Sequence, residues 1–393
     1  MIRYRAAWVL PIAGPPIRGG VVAVDGELIA AVGPHGGGAV EDLGGVAILP
    51  GVVNAHTHLE LSWMRGRVPP NASMPAWAAS LMALRRTVSP EPAEPIADAI
   101  REARRAGTSL VGDVTNTFAT YEPLLDSELS AALFRELLGF SAADPDAVVR
   151  VAQDQIAALT PVAWLRPSLA PHAPYSVSPA LMRAIGRGNG DRPLSIHLGE
   201  SAQEVQFLRD GTGEWRALLE RLGVWNAAWT PPACGPVDYL DGFGLVNERL
   251  IAVHGVQFTD GELARLAAAA ATVVTCPRSN RWTGAGAPPI ERFYASGARV
   301  AIGTDSLASV ADLNLFAELA EVRRLAPGVP ASRILASATL AGAQALGFAS
   351  ELGSIEPGKR ADLLAVRLPA GCSDVEEYLL GGIEPGDIRW LDA

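Results

Sequence analysis

The chain has 393 residues, 49% of them apolar, and a formal net charge of −10. That apolar content can bury one large core and a smaller one, and no apolar stretch approaches a bilayer span, so a soluble globular protein with no membrane partner is expected. The acidic balance argues against a nucleic-acid partner, because binding the phosphate backbone needs a basic face.

The opening run, Met1 to Pro11, carries arginines, but its apolar part is too short for a good secretory signal. Cytoplasm is the expected location. The three cysteines, Cys234, Cys276 and Cys372, are widely spaced and form no CxxC pair, so they neither staple the fold nor make a zinc ribbon. Residues 2 to about 48 read as short strands between glycine turns: Trp8-Val-Leu, Val21 to Val24 and Leu28 to Val32. The stretch Gly353 to Val366 repeats that style as a turn and a strand. Both ends are expected to pair into one composite β-sandwich domain, residues 1–48 with 351–393.

Between them, apolar strand-like runs alternate with amphipathic helices, the βαβ rhythm of a parallel sheet. Eight candidate strands stand out: Gly51–His58, Ser109–Thr115, Ala131–Gly139, Trp164–Leu169, Leu194–Leu198, Leu250–Val256, Thr272–Cys276 and Val300–Thr304. Eight is the closure number of a (β/α)8 TIM barrel, so residues 49–350 are expected to form a barrel catalytic domain. An open doubly wound sheet is the alternative, disfavoured because no G-x-G-x-x-G turn follows an early strand. Two connections exceed a minimal crossover. Residues 59–90 carry Trp63 and Trp77, and residues 201–249 carry Trp215, Trp225 and Trp229; both are expected to shape and cover a pocket, although each tryptophan could equally pack its own helix.

Histidine is scarce, and five of the six fall at or just past strand ends. His56 and His58 stand at i and i+2 on the first strand, where alternation points both to one side and lets them share a metal ion. His172, His197 and His254 close later strands, and Asp305 follows the eighth. His35 lies in a glycine-rich turn and is read as solvent-exposed. His56, His58, His197 and Asp305 are the expected ligands, with an open position for a water that the ion acidifies. Asp305 could instead cap the helix beginning near Leu313, but Ser309 and Asp312 are better placed for that. The sole lysine, Lys359, lies outside the barrel. A carboxylated lysine cannot then bridge two ions, and a single-metal site is expected.

Glu200, three residues past His197, falls beside the activated water without being a ligand and can carry its proton to a leaving nitrogen. His254 can hydrogen-bond the attacking oxygen. His172, on a proline-bounded loop, suits substrate orientation.

Pro50-Gly-Val-Val-Asn-Ala-His-Thr-His-Leu-Glu60, His197-Leu-Gly-Glu200, Val253-His-Gly255, Gly303-Thr-Asp305 and Gly353 to Leu363 together resemble the amidohydrolase superfamily, in its aminohydrolase and chlorohydrolase branch. The resemblance spans nearly the whole chain. It implies His56, His58, His197 and Asp305 as ligands of one zinc or iron, Glu200 and His254 as catalytic partners together with Asp305, and His172 and Ser309 as substrate contacts. Leu59-Glu-Leu-Ser62, His172-Ala-Pro-Tyr-Ser-Val177 and Cys276-Pro-Arg-Ser-Asn280 look most like the aminofutalosine deaminases of menaquinone biosynthesis. The expected enzyme is thus a metal-dependent hydrolytic deaminase of a small-molecule aminopurine nucleoside, with a homodimer left open. The rivals are a deaminase of S-adenosylhomocysteine or methylthioadenosine, a chlorohydrolase or amide hydrolase, and a non-catalytic metal-binding barrel.

Overall fold

The computed structural model describes residues 1–88 and 92–391. The end of the 59–90 connection and the last two residues of the 351–393 segment lie outside these. The eight expected strands all form: β1 (Val52–Thr57), β2 (Thr108–Thr115), β3 (Ser130–Leu137), β4 (Leu165–Pro171), β5 (Leu194–Leu198), β6 (Leu250–His254), β7 (Thr272–Thr275) and β8 (Arg299–Ile302). They pair in parallel as two four-stranded sheets, β4-β3-β2-β1 and β5-β6-β7-β8. Helices separate the strands, and among the described residues no helix is long and apolar enough to cross a membrane.

The two sheets share a core. One buried cluster joins Val53, Leu110 and Phe134 of the first sheet to Val253, Val274 and Ala301 of the second. Backbone bonds link the sheets at the carboxyl ends of the strands, where His197 N–H donates to His172 C=O at 3.0 Å, and Thr304 and Asp305 N–H donate to His56 C=O at 3.1 and 3.0 Å. Buried Asn54 reinforces the second seam: its Nδ2 donates to Thr304 Oγ1 at 2.8 Å and its Oδ1 accepts from Thr304 N–H at 3.1 Å. Close approach is required there. A Cβ on Gly303 would lie 2.7 Å from His56 C=O, so only glycine lets β8 meet β1.

The chain ends pair with each other. Leu363–Arg367 runs antiparallel to both Val46–Pro50 and Ile388–Leu391, in a five-stranded sheet that also takes Trp8–Val9 and Ile17–Arg18. A second sheet of four strands comes from the first 42 residues, and Tyr4, Val22, Ile29, Ile48 and Leu363 form a buried cluster spanning both sheets. His35 is exposed as expected, and Lys359 pairs with Glu356.

One local expectation is corrected. The helix after β8 runs Leu315–Leu325, and its N-cap is Asn314, whose side chain accepts from Phe316 N–H at 3.0 Å. Neither Ser309 nor Asp312 caps it. Asp312 Oδ1 instead accepts from Asn314 N–H at 3.0 Å and from Arg278 at 2.9 Å, which ties the loop before the helix to the turn after β7.

Replacing Asn54 by alanine removes two buried hydrogen bonds to Thr304 at the β1–β8 seam and leaves Thr304 Oγ1 without a donor. Denaturant unfolding should show a loss of about 1–3 kcal/mol, the usual result of orphaning buried polar groups. A change below about 0.5 kcal/mol, within the range of an ordinary surface substitution, would show that the seam does not depend on it.

Candidate active site

The five strand-end histidines and Asp305 come together at one end of the sheets. Ring centroids of His56 lie 4.9 Å from those of His58 and His197 and 5.8 Å from that of His254. Asp305 Oδ1 faces His56 Nε2 at 3.6 Å and His58 Nε2 at 3.4 Å. Its other oxygen, Oδ2, accepts from Ser279 Oγ at 2.6 Å and from Ser309 Oγ at 3.0 Å. One carboxylate oxygen is therefore held by hydroxyls while the other is presented to the imidazoles.

The backbone is bent to achieve this. Asp305 and His254 both occupy the left-handed region, with φ of 62° and 78°. Such conformations cost free energy in non-glycine residues and persist where the surroundings fix them. Here the Asp305 bond to His56 C=O fixes one of them, and the Asn280 contact described below fixes the side chain of the other.

The donor chemistry fits one divalent transition-metal ion. His56, His58 and Asp305 offer ligand atoms within 4.8 Å of one another, and so do His56, His197 and His254. Both ring nitrogens of His56, which is 1% exposed, lack any hydrogen-bond partner. A buried imidazole rarely leaves both nitrogens unmatched unless an ion takes one. Burial favours the neutral form that ligation needs at His56, His58 and His254, whereas at His197 burial is outweighed by the neighbouring carboxylates, Glu136 first, which raise its pKa. Burial lowers His56, brings His58 down to about 3 with His56 adding to the effect, and holds His254 well below its ordinary value.

Around this cluster stand groups that do not ligate. Glu200 is 2% exposed; its Oε1 lies 3.7 Å from His254 Nε2 and its Oε2 has no partner. Burial pushes its carboxyl up to about 8, so it retains a proton near neutrality. That is the behaviour expected of a group that carries protons. Glu204 sets its position by accepting from Gly199 and Glu200 N–H at 2.9 and 3.0 Å. His254 Nε2 lies 3.0 Å from His197 Nδ1, and its Nδ1 contacts Asn280 Nδ2 at 2.9 Å. With the Asn280 amide donating, the His254 proton resides on Nε2 and faces the site. His172 is half-buried in the same wall, 5.0 Å from His197 between centroids, and Ser176 Oγ fixes its Nδ1 at 2.6 Å.

Ser309 behaves differently from the expectation of substrate contact: its hydroxyl serves Asp305 and Ser306 C=O. Several groups had no role in the sequence reading. Ser279 and Asn280 belong to the short helix Pro277–Thr283 after β7, one of three strands to which no site residue had been assigned. Glu136, next to last in β3, is 6% exposed, and its Oε1 lies 3.7 Å from His197 Nε2. A polar residue at the end of an apolar strand is the signal that marks it. Glu60 clamps the loop after β2 by accepting from Thr115 Oγ1, Asn116 N–H and Thr117 Oγ1 at 2.6–2.7 Å.

These groups open into a cavity of about 620 Å³ that begins at His58, His197, Glu200 and Asp305 and continues between Trp77, Leu81, Phe140, Tyr175, Trp215 and Leu222. Both long connections build its cover. The helix Met74–Arg85 carries Trp77, the helix Glu214–Arg221 carries Trp215, and Ser73 Oγ donates to Glu214 Oε2 at 2.7 Å between them. Trp215 stacks on Tyr175 at 3.6 Å. Trp63, Trp225 and Trp229 instead pack against apolar neighbours.

The amidohydrolase family profile matches residues 47–380. The 5-methylthioadenosine/S-adenosylhomocysteine deaminase of Moorella thermoacetica is 30% identical over 430 residues, covering 98% of this chain and 94% of its own. The aminodeoxyfutalosine deaminase of Deinococcus radiodurans is 34% identical over 355 residues, covering 85% and 82%. The crystal structure of an adenosine deaminase from Xanthomonas campestris with bound zinc superposes with a TM-score of 0.83 at 29% identity, over 98% of this chain and 90% of that one. With the profile spanning most of the chain and the strand-end histidines and aspartate gathered at one cavity, this protein belongs to the amidohydrolase family.

Proposed function

We propose that this enzyme, a hydrolase of carbon–nitrogen bonds, deaminates an aminopurine nucleoside bearing an extended 5′ substituent, with aminofutalosine as the substrate and methylthioadenosine and S-adenosylhomocysteine as alternatives. The relatives named for these substrates support the class. The observation that carries the reading is Glu200: a buried, proton-retaining carboxyl with an unpartnered oxygen, at the point where a metal-binding cluster meets a long, largely apolar cavity. A non-catalytic metal site has no use for it. The same reading takes the two parallel sheets as one closed (β/α)8 barrel over residues 49–350, flanked by a sandwich of residues 1–48 and 351–393. It also places the enzyme in the cytoplasm and in menaquinone biosynthesis.

The ligands in this reading are His56, His58, His197 and Asp305, and a bound zinc or iron ion would supply Lewis-acid charge and lower the pKa of a water molecule toward neutrality. Glu200, which holds a proton, delivers it to a ring nitrogen, which favours attack at the amino-bearing carbon, and then takes up a proton from the attacking water. His254 donates its Nε2 proton toward the incoming oxygen, and Asp305 holds that oxygen's other side. The new carbon–oxygen bond forms, the second proton of the water passes to the exocyclic nitrogen, and the carbon–nitrogen bond breaks so that the nitrogen leaves as ammonia, the oxygen remains as a carbonyl and Glu200 ends protonated as it began. His172 faces the far edge of the ring. Ser309 contributes through Asp305 and reaches substrate only if that bond is exchanged.

Elemental analysis of loaded protein should give about one transition-metal ion per chain. His56→Ala or Asp305→Ala should empty the site; two ions per chain would contradict the single-ion reading. Glu200→Gln should keep the ion and slow turnover by roughly 10²-fold or more. Near-normal turnover in that variant would leave Glu200 without its role. Ammonia release should be fastest with aminofutalosine, slower with methylthioadenosine, S-adenosylhomocysteine and adenosine, and lower by large factors with cytosine, guanine and a chlorotriazine. Reaction with the non-nucleoside rings alone would remove the nucleoside assignment. Opening of an amide or cyclic imide instead would remove deamination.

A further inference from the structure

Arg278 has no part in the chemistry proposed above, yet the segments that hold Asp305 and His254 meet on it. Its side chain is 15% exposed and uses nearly its whole fork of donors. Nε donates to Glu318 Oε1 at 2.7 Å, Nη1 to Asp312 Oδ1 at 2.9 Å, and Nη2 to Asp312 C=O at 3.0 Å and Asn314 C=O at 3.4 Å. Its backbone N–H donates to Glu318 Oε2 at 3.3 Å. Glu318 is fully buried and stands in the first turn of the helix Leu315–Leu325. One guanidinium therefore ties the helix Pro277–Thr283 to the start of the next helix and to the loop before it.

The two residues that follow Arg278 face the site. Ser279 Oγ donates to Asp305 Oδ2 at 2.6 Å, and Asn280 Nδ2 donates to His254 Nδ1 at 2.9 Å. The second hydroxyl on Asp305 Oδ2 is that of Ser309, three residues before Asp312 in the loop that Arg278 holds. Asn280 Oδ1 is buried without a hydrogen-bond partner, so the helix backbone has to aim the amide. Trp282 fixes the far end of that helix, its Nε1 donating to Val68 C=O at 3.0 Å, and Arg278 fixes the first turn. Resting on the roles of Asp305 and His254 in the deamination read above, we propose that Arg278 is a positioning residue: by clasping Glu318 and Asp312 it aims Ser279 at Asp305 and Asn280 at His254, without touching substrate. A guanidinium suits this task because its planar donors fix direction in two segments at once, which a lysine ammonium does not.

Removing Arg278 alone would strand the buried Glu318 and weaken the fold for reasons unrelated to the site, whereas replacing both members of a buried pair by apolar residues of similar size is often neutral. The test therefore uses Arg278→Met combined with Glu318→Leu, and separately Arg278→Lys, in zinc-loaded protein. Thermal melting, ion content, kcat and KM for aminofutalosine are measured, together with the nitrogen NMR shift of His254 Nδ1, which is resolvable in a chain with six histidines. The double variant should melt near the wild type and hold about one ion per chain. Its kcat should nevertheless fall by roughly 10- to 10²-fold, the scale of a small misplacement of reacting groups, with KM little changed. His254 Nδ1 should shift toward the value of an imidazole nitrogen that accepts no hydrogen bond. Arg278→Lys, which keeps the charge and loses the fork, should lie between in both readouts. Wild-type kcat or an unmoved His254 signal in the folded double variant overturns the proposal, because Arg278 then serves stability alone. Should the double variant not fold, Arg278→Lys decides: wild-type kcat there overturns the proposal, since charge without direction then suffices. If neither aminofutalosine nor adenosine reacts, the nucleoside reading fails, while the His254 signal still decides the role of Arg278.

Discussion

The bond from Asp305 N–H to His56 C=O, at 3.0 Å, is the contact on which the site depends. It joins the end of β8 to the end of β1, and so joins the last expected ligand to the first two. Asp305 itself is in a left-handed conformation, and its carboxylate faces His56 and His58. Gly303 removes the side chain that would block the approach, while Asn54 and Thr304 match the polar groups that the approach buries. Strain at Asp305 is thus held by neighbours on a different strand, as expected where a functional geometry has to be imposed on the chain.

From that seam the electrostatics follow. His56 and His58, kept neutral by burial, and one carboxylate with a free oxygen make a site that is uncomfortable without a cation. Placing Glu200 nearby with no cationic partner adds a group whose proton is loosely committed. The Glu204 carboxylate reaches the loop from the next helix and accepts both backbone amides there, so Glu200 is held by rigid structure rather than by its own side-chain bonds. The division between fixed oxygens and unpartnered ones is what separates supporting residues from candidate reacting ones.

Much of this was legible in the sequence. All eight parallel strands were located within a residue or two, because apolar strand-like runs alternating with amphipathic helices make a recognisable rhythm, and the His56-Thr57-His58 spacing pointed to convergence. What could not be read was which side chains lie across from one another. Ser279 and Asn280 were visible in the Cys276–Asn280 motif, yet their partners, Asp305 and His254, lie on other strands and are met only through the turn geometry of Pro277–Thr283. Glu60 and Glu204 looked like any other glutamate, since the burial that sets them apart is a tertiary property, whereas Glu136 carried the signal of its place near a strand end.

The account makes one claim above the others, that a single ion at the His56–Asp305 cluster drives deamination of an aminopurine nucleoside. Its most direct test is a titration of metal-stripped protein with zinc, or with iron under anaerobic conditions, while ammonia release from aminofutalosine or adenosine is followed. Activity should be absent at the start, rise in proportion to added ion, and stop rising at about one ion per chain. Ammonia release from the fully stripped protein, or a rise that continues to two ions per chain, would contradict the account.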